Sequence, residues 1–332
     1  MTNNKSVLVY CEIMNGKLAS ISTELLGTGQ RLAAELGQEL SAVIIGYEIE
    51  GLAQEAIAYG AQKVYVVNNP LFKDYMTESY LKVMEKIIQQ LTPGILLFGQ
   101  TSVGRDLAPW LAFRLNTGVS MDCMALTIEP SSKRVLMTKP VYGGNAQAVQ
   151  VCENDPQIAT IRPKAMVPLT KDASRTGEII NIEEDSELIS TKIKILDRRI
   201  ETTVGVKLED ARVVICGGRG IGGAEGFKQL ADLSNVLKGA VGASRPPCDN
   251  KWISDSQQIG ITGKIISPDL YLAIGLSGSS QHLSGCASAK TIGAINKDPE
   301  ANIFKVADYG IVADWNTVLP AFTAKITELV GQ

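Results

Sequence analysis

The chain has 332 residues, 45% hydrophobic and 20% charged, with a formal net charge of -3. That length suits two domains, and a slightly acidic balance without a long basic run argues against a nucleic-acid partner. No apolar run approaches the ~20 residues that cross a bilayer, so membrane insertion is not expected.

The first ~100 residues alternate short apolar runs with helix-period segments. Val7–Cys11 reads as a strand, and Leu18, Ile21, Leu25, Leu32 and Leu36 recur at helical spacing before Gly37, a plausible C-terminal cap. Ala42–Ile45, Val64–Val67 and Ile95–Phe98 read as further strands, with an amphipathic helix carried by Tyr80, Leu81, Met84, Ile87, Ile88 and Leu91. Strands alternating with helices predict βαβ units and a parallel sheet. From Met121 to Ile161 the runs are strand-like, with turn signals at Glu129–Ser132 and Gly143–Asn145, and an antiparallel extension of the first sheet is expected.

An acidic stretch, Thr176–Glu187, precedes a basic and apolar alternation, Lys192–Arg199, which suits a solvated linker with an edge strand. The expected division is an N-terminal α/β domain over 1–190, a linker over 191–205 and a second domain over 206–332. The second domain opens on the strand Ala211–Gly217 and continues through a helix marked by Phe227, Leu230, Ala231 and Leu237. Strands at Tyr271–Ile274, Ile292–Ile295 and Tyr309–Val312 follow, then a helix from Trp315 to Leu329. This predicts a smaller, doubly wound, flavodoxin-like α/β domain.

Six cysteines stand far apart; the closest pair, Cys123 and Cys152, is 29 positions distant. With one histidine in the chain, zinc or iron-sulfur spacing is missing and reduced thiols in a cytoplasm are expected. The N-terminus, MTNNKSVLVYCE, enters a strand at once, so no leader is expected and the protein is placed in the cytoplasm.

Chemistry concentrates in the second domain. Gly218, Gly220 and Gly223 match the GxGxxG spacing between a strand and a helix, where glycines let the backbone approach a phosphate. No acid ends the next strand-like run, Ala240–Ala243; Ser244 and Arg245 stand there instead. An NAD reading therefore fails, and only an NADP-dependent oxidoreductase with Arg245 on a 2′-phosphate survives. Glycine-rich turns near 217–223, 242–245, 260–263 and 275–285, with Asn296 and Asp314 at later strand ends, are expected to converge on one edge of the sheet.

These segments resemble one family. Gly217–Gly220, Ala240–Arg245, Ile259–Lys264, Pro268–Tyr271, Gly278–His282, Ala294–Glu300 and Val306–Asp314 look like the alpha subunit of electron transfer flavoprotein, in order and spacing. Phe98–Pro109 and Asp122–Cys123 resemble it more loosely. The resemblance implies one FAD held mainly by the second domain. It implies Arg219 and the turn Ser277, Gly278, Ser279, Ser280 and Gln281 on the ribityl-pyrophosphate side. Ser244 and Arg245 are implied at the isoalloxazine ring, Thr262 of the turn Gly260-Ile261-Thr262 near flavin N5, and His282 near N1 and O2. Asn296 and Asp314, with Trp315 beside them, are implied at the adenosine end. The family usually has glutamine at Ile261, and Ser279 and Ser280 replace a pair that is often apolar. A donor near N1 and O2 favours reduced flavin, which is negative there, and would account for a lone histidine in the turn GLSGSSQHLSG.

The resemblance further implies an electron carrier rather than a substrate-converting enzyme. It would pair with an electron transfer flavoprotein beta subunit and accept electrons from a flavin-dependent dehydrogenase such as an acyl-CoA dehydrogenase. Whether the assembly bifurcates electrons stays open. The NADP oxidoreductase, and a regulatory protein that binds an adenine nucleotide without flavin, are the alternatives.

Overall fold

A computed structural model gives the structure of the chain and describes residues 6–144, 146–183, 193, 195–197 and 206–331. The chain divides into two compact units, Met1–Pro140 with Gln147–Arg198, and Val141–Ala146 with Arg199–Gln332. We propose that the expected domain division holds; most of its 191–205 linker lies outside the described residues.

In the first unit β1 (Val7–Cys11) is followed by a hairpin, β2 (Ile13–Met14) and β3 (Lys17–Leu18), and by helix α1 (Ser20–Leu36). Gly37 caps α1 with φ 64°, as its place after the apolar stripe predicts. Then come β4 (Leu40–Gly46), α2 (Leu52–Ala58), β5 (Lys63–Asn68), α3 (Thr77–Leu91), β6 (Ile95–Gly99) and α4 (Ser102–Arg114). β7 (Val119–Cys123), β8 (Ala125–Ile128), β9 (Val135–Val141), β10 (Ala146–Gln150), β11 (Gln157–Ile161) and β12 (Glu178–Asn181) complete the unit's strands.

The main sheet has seven strands in the order β12-β5-β4-β1-β6-β11-β7, and its pairings are parallel. β1, β4, β6 and β11 are buried along their whole length because helices cover both faces, which explains the unbroken apolar runs of β1 and β6. One face packs Leu25, Leu32, Ile44 and Ile57; the other packs Tyr10, Val83, Ile87 and Phe98.

The antiparallel pairing expected between 121 and 161 occurs, as β8 against β9, but within a separate three-stranded sheet, β10-β9-β8. The strands flanking it, β7 and β11, join the main sheet in parallel. The edge strand β12 lies inside the acidic stretch Thr176–Glu187 and pairs with β5, while the alternation Lys192–Arg199 lies partly outside the described residues.

The second unit holds β13 (Val213–Gly217), α5 (Ala224–Val236), β14 (Ala240–Ala243), α6 (Arg245–Asp249), β15 (Leu270–Ile274), α7 (Ser280–Leu283), β16 (Thr291–Asn296), β17 (Tyr309–Val312) and α8 (Trp315–Val330). The five strands run parallel in the order β14-β13-β15-β16-β17. That is the flavodoxin-like order 2-1-3-4-5. Val214, Tyr271, Ala294 and Ile303 belong to the core on one face, and Ile215, Phe227, Leu230 and Leu319 to the core on the other.

Candidate functional site

The strand order reverses between β13 and β15, so the crevice beyond their carboxyl ends is where an open parallel sheet places a ligand. Hydrogen bonds link the glycine-rich turns there one to the next. Gly218 N–H donates to Ile274 O at 2.9 Å, and Gly220 N–H donates to Gly275 O at 3.1 Å. Ser244 N–H donates to Gly217 O at 3.1 Å, Ile259 N–H to Ala243 O at 2.8 Å, and Ile261 N–H to Gln281 O at 2.9 Å. The expected convergence of the four turns on one edge is therefore a property of the backbone.

Two glycines permit this approach. A Cβ on Gly218 would stand 2.7 Å from both Gly275 C and Leu276 Cα, so the turns after β13 and β15 could not lie so close. Gly278 has φ 78°, and its Cβ would stand 2.6 Å from Ile303 Cα.

Arg219, Ile261, Thr262, Ser277, Ser279, Ser280, Gln281 and Asp314 are exposed at this edge, while Ser244, Gly260, Gly278, His282 and Trp315 are buried. Arg245 opens α6 after the cap residue Ser244 and pairs with Asp249 at 3.3 Å. Both side chains are mostly exposed, so the pair is weak and the guanidinium can leave it for a ligand.

Asn296 and Trp315 brace the edge. Asn296 Nδ2 donates to Leu276 O at 2.7 Å, and its Oδ1 accepts from Asp298 N–H at 3.0 Å. Trp315 Nε1 donates to Gly220 O at 3.0 Å, tying the start of α8 to the turn after β13. Asp314 caps α8 by accepting from Asn316 N–H at 2.9 Å. Thr262 Oγ1 accepts from Gln258 Nε2 at 2.9 Å.

His282 is engaged within the protein through both ring nitrogens. Nδ1 lies 3.0 Å from Ile259 O, and Nε2 lies 2.6 Å from the Tyr271 hydroxyl. Burial pushes its pKa down to about 4, against the opposing hydrogen bond to Ile259 O. Nε2 can reach a flavin only by giving up Tyr271. In the sequence Tyr271 falls in a strand and Ile259 before a turn, and no spacing joins either to the histidine. The available signal was a tyrosine inside the apolar run Leu270–Ile274, whose hydroxyl needs a partner once buried.

The fit to a dinucleotide is direct. The edge offers a glycine cradle that lets backbone approach a pyrophosphate, two exposed arginines to meet its charge, and a rim of hydroxyls and amides. A flavodoxin-like sheet with this rim at its reversal point defines a class: an α/β protein that binds a nucleotide-type cofactor beyond its strand ends.

Known proteins narrow the class. The family description "Electron transfer flavoprotein domain" matches residues 7–187, and "Electron transfer flavoprotein FAD-binding domain" matches residues 207–287. The chain is 42% identical over 330 residues to the electron transfer flavoprotein subunit alpha of Thermoanaerobacterium thermosaccharolyticum, covering 99% of this chain and 100% of that one. It is 42% identical over 326 residues to the corresponding subunit of Bacillus subtilis, covering 98% of each. It is 36% identical over 336 residues to Protein FixB of Azotobacter vinelandii, covering 99% of this chain and 92% of that one. The chain belongs to the electron transfer flavoprotein alpha-subunit family. It is an electron carrier with FAD as its cofactor, and an alpha subunit of this family implies a beta subunit beside it. Among the described residues no helix is long and apolar enough to cross a membrane.

Proposed function

We propose that FAD lies along the carboxyl edge of the five-stranded sheet, held by the residues that the family resemblance assigns. The observation that carries this placement is the hydrogen-bonded convergence of four turns at the β13–β15 reversal. FAD supplies the redox chemistry; the chain supplies binding, orientation and local charge. Arg219 and the 277–281 turn receive the pyrophosphate, with Gly218 and Gly278 admitting it close to the backbone. Ser244, Arg245, Thr262 and the Gly260–Ile261 backbone face the isoalloxazine ring, and His282 stands behind them. Asn296, Asp314 and Trp315 shape the adenosine end. Arg245 contributes a permanent positive charge that favours negative, reduced forms of a flavin without supplying a proton.

The partner is an electron transfer flavoprotein beta subunit that pairs with the first unit. The donor is a flavin-dependent dehydrogenase of the acyl-CoA dehydrogenase type, and the assembly works in the cytoplasm. Co-expression with a beta subunit, followed by anaerobic mixing with an acyl-CoA dehydrogenase and its substrate, tests this reading. Bleaching of the complex's flavin absorbance supports it. A flavin-loaded complex that stays oxidised with such dehydrogenases contradicts the donor assignment.

A further inference from the structure

The chain's one histidine is held between two turns of the cofactor edge and the middle of a core strand. Its carbonyl partner, Ile259 O, can only accept, so the proton of the neutral ring sits on Nδ1. Nε2 then carries a lone pair and accepts from the Tyr271 hydroxyl at 2.6 Å. Tyr271 is fully buried in β15, and His282 is 4% exposed. The reverse tautomer would turn the Nδ1 lone pair on the Ile259 carbonyl oxygen, two acceptors facing each other.

The titratable groups packed against this pair are Cys216 of β13 and Cys286 beyond α7. Cys216 Sγ lies 3.9 Å from Nε2, and both thiols interact with the Tyr271 hydroxyl. Burial holds Cys216 and Tyr271 in their neutral, protonated forms at ordinary pH. The downward shift on the imidazole comes from burial and is opposed by the Ile259 carbonyl, with no charged side chain among its causes.

The ring also joins the two turns that bear the proposed flavin contacts. Ile259 leads into Gly260–Thr262, and His282 follows Ser277–Gln281 directly. Ile261 N–H donates to Gln281 O, so the ring bond is one of two hydrogen bonds between these turns; Ile266 N–H donates to Gly285 O beyond them. The ring bond is the one whose direction depends on a side-chain tautomer.

We propose that Tyr271 is a positioning residue of the FAD site: its buried hydroxyl donates to Nε2 of the ring whose Nδ1–H is held by Ile259 O, and so fixes the orientation in which the imidazole pins the 259–262 turn against the 277–282 turn. The proposal rests on the FAD placement above.

A single histidine makes the test clean, because histidine-selective 15N labelling of the full-length chain gives one imidazole spin system. The parent is expected to show a neutral ring protonated at Nδ1 from pH 5.5 to 8. Tyr271→Phe keeps the aromatic packing and removes the hydroxyl. It is expected to move the Nε2 resonance, because the lone pair loses its donor, with a titration midpoint moving up toward the ordinary histidine range. In complex with the beta subunit, the same variant is expected to bind FAD about 2- to 10-fold more weakly, the range of one net hydrogen bond. A parent ring that is protonated at Nε2, or charged at pH 7, overturns the proposal without any variant. So does an unchanged ring spectrum in Tyr271→Phe, or a changed spectrum with unchanged FAD affinity. A parent complex that takes up no FAD overturns the site placement and the positioning role with it. That failure is recognisable because the ring spectrum requires no flavin.

Discussion

Gly218→Ala isolates the close approach of the turns after β13 and β15. The backbone of Gly218 has φ -99°, a region open to alanine, so no dihedral strain enters. The whole effect is steric: the added Cβ meets Gly275 C and Leu276 Cα at 2.7 Å, and both are backbone atoms that cannot rotate away. Overpacking of this kind costs about 1–3 kcal/mol. At about 2–4 °C per kcal/mol, the second unit should melt roughly 2–12 °C lower. The same displacement separates Gly220 N–H from Gly275 O and opens the cradle, so FAD should be lost in step with stability. Gly223→Ala is the control for melting alone, because that position is extended at φ 169° and its Cβ would meet no protein atom within 4 Å. Melting is followed by near-ultraviolet circular dichroism and FAD retention by flavin fluorescence after gel filtration, in the complex with the beta subunit. A Gly218→Ala complex that melts and holds FAD like the parent, or melts like Gly223→Ala, refutes the reasoning.

Four further outcomes are expected. Burial raises the Glu12 carboxyl to about 7 from 4.5, so the folded state binds its proton more tightly than the unfolded state does. Its favourable contribution is full below pH 4.5 and is lost as pH rises through 7, up to about 3 kcal/mol; Glu12→Gln should flatten the pH dependence of melting between pH 5 and 8, and an identical profile would count against it. Asp122→Ala should destabilise the first unit by about 3–5 kcal/mol in urea titration, because Arg162, at 4% side-chain exposure, loses a carboxylate that accepts two hydrogen bonds; a loss within error would show that other partners suffice. Arg245→Ala should leave melting unchanged, since its Asp249 pair is exposed, and lower the flavin midpoint potential, with Arg245→Lys restoring part of it; equal potentials by spectroelectrochemistry would remove Arg245 from the flavin. A fragment of residues 206–332 should fold, since the cores on both faces of its sheet are built from residues beyond 207; an insoluble or molten fragment by circular dichroism would show otherwise.

The sequence displayed the strands that are buried on both faces, because Val7–Cys11, Ile95–Phe98 and Val213–Gly217 read as continuous apolar runs that only covered parallel strands sustain. It did not sort β7 and β11 from β8 and β9. All four are short, and whether a strand joins the main sheet depends on partners distant in sequence, such as Ile158 with Leu96 and with Val119. The turns at 217–223 and 275–285 were legible because glycine marks close backbone approach before any partner is known. The Tyr271–His282 bond was not, since a tyrosine in an apolar run reads as packing until its hydroxyl is seen to face an imidazole eleven residues on. The Arg245–Asp249 pair was legible as a surface ion pair at i,i+4 spacing, and the fold exposes both side chains, so Arg245 can leave it easily.

The placement of FAD is tested most directly by its stoichiometry. Flavin released by denaturation from the purified complex with the beta subunit is quantified per alpha chain, in the parent and in Gly278→Val. Valine at φ 78° combines a disfavoured backbone with a Cβ 2.6 Å from Ile303 Cα, in the turn assigned to the pyrophosphate. The account predicts at least one FAD per alpha chain in the parent and the loss of one equivalent in the variant, with the first unit still folded. A parent without FAD, or a variant that keeps every equivalent, contradicts it.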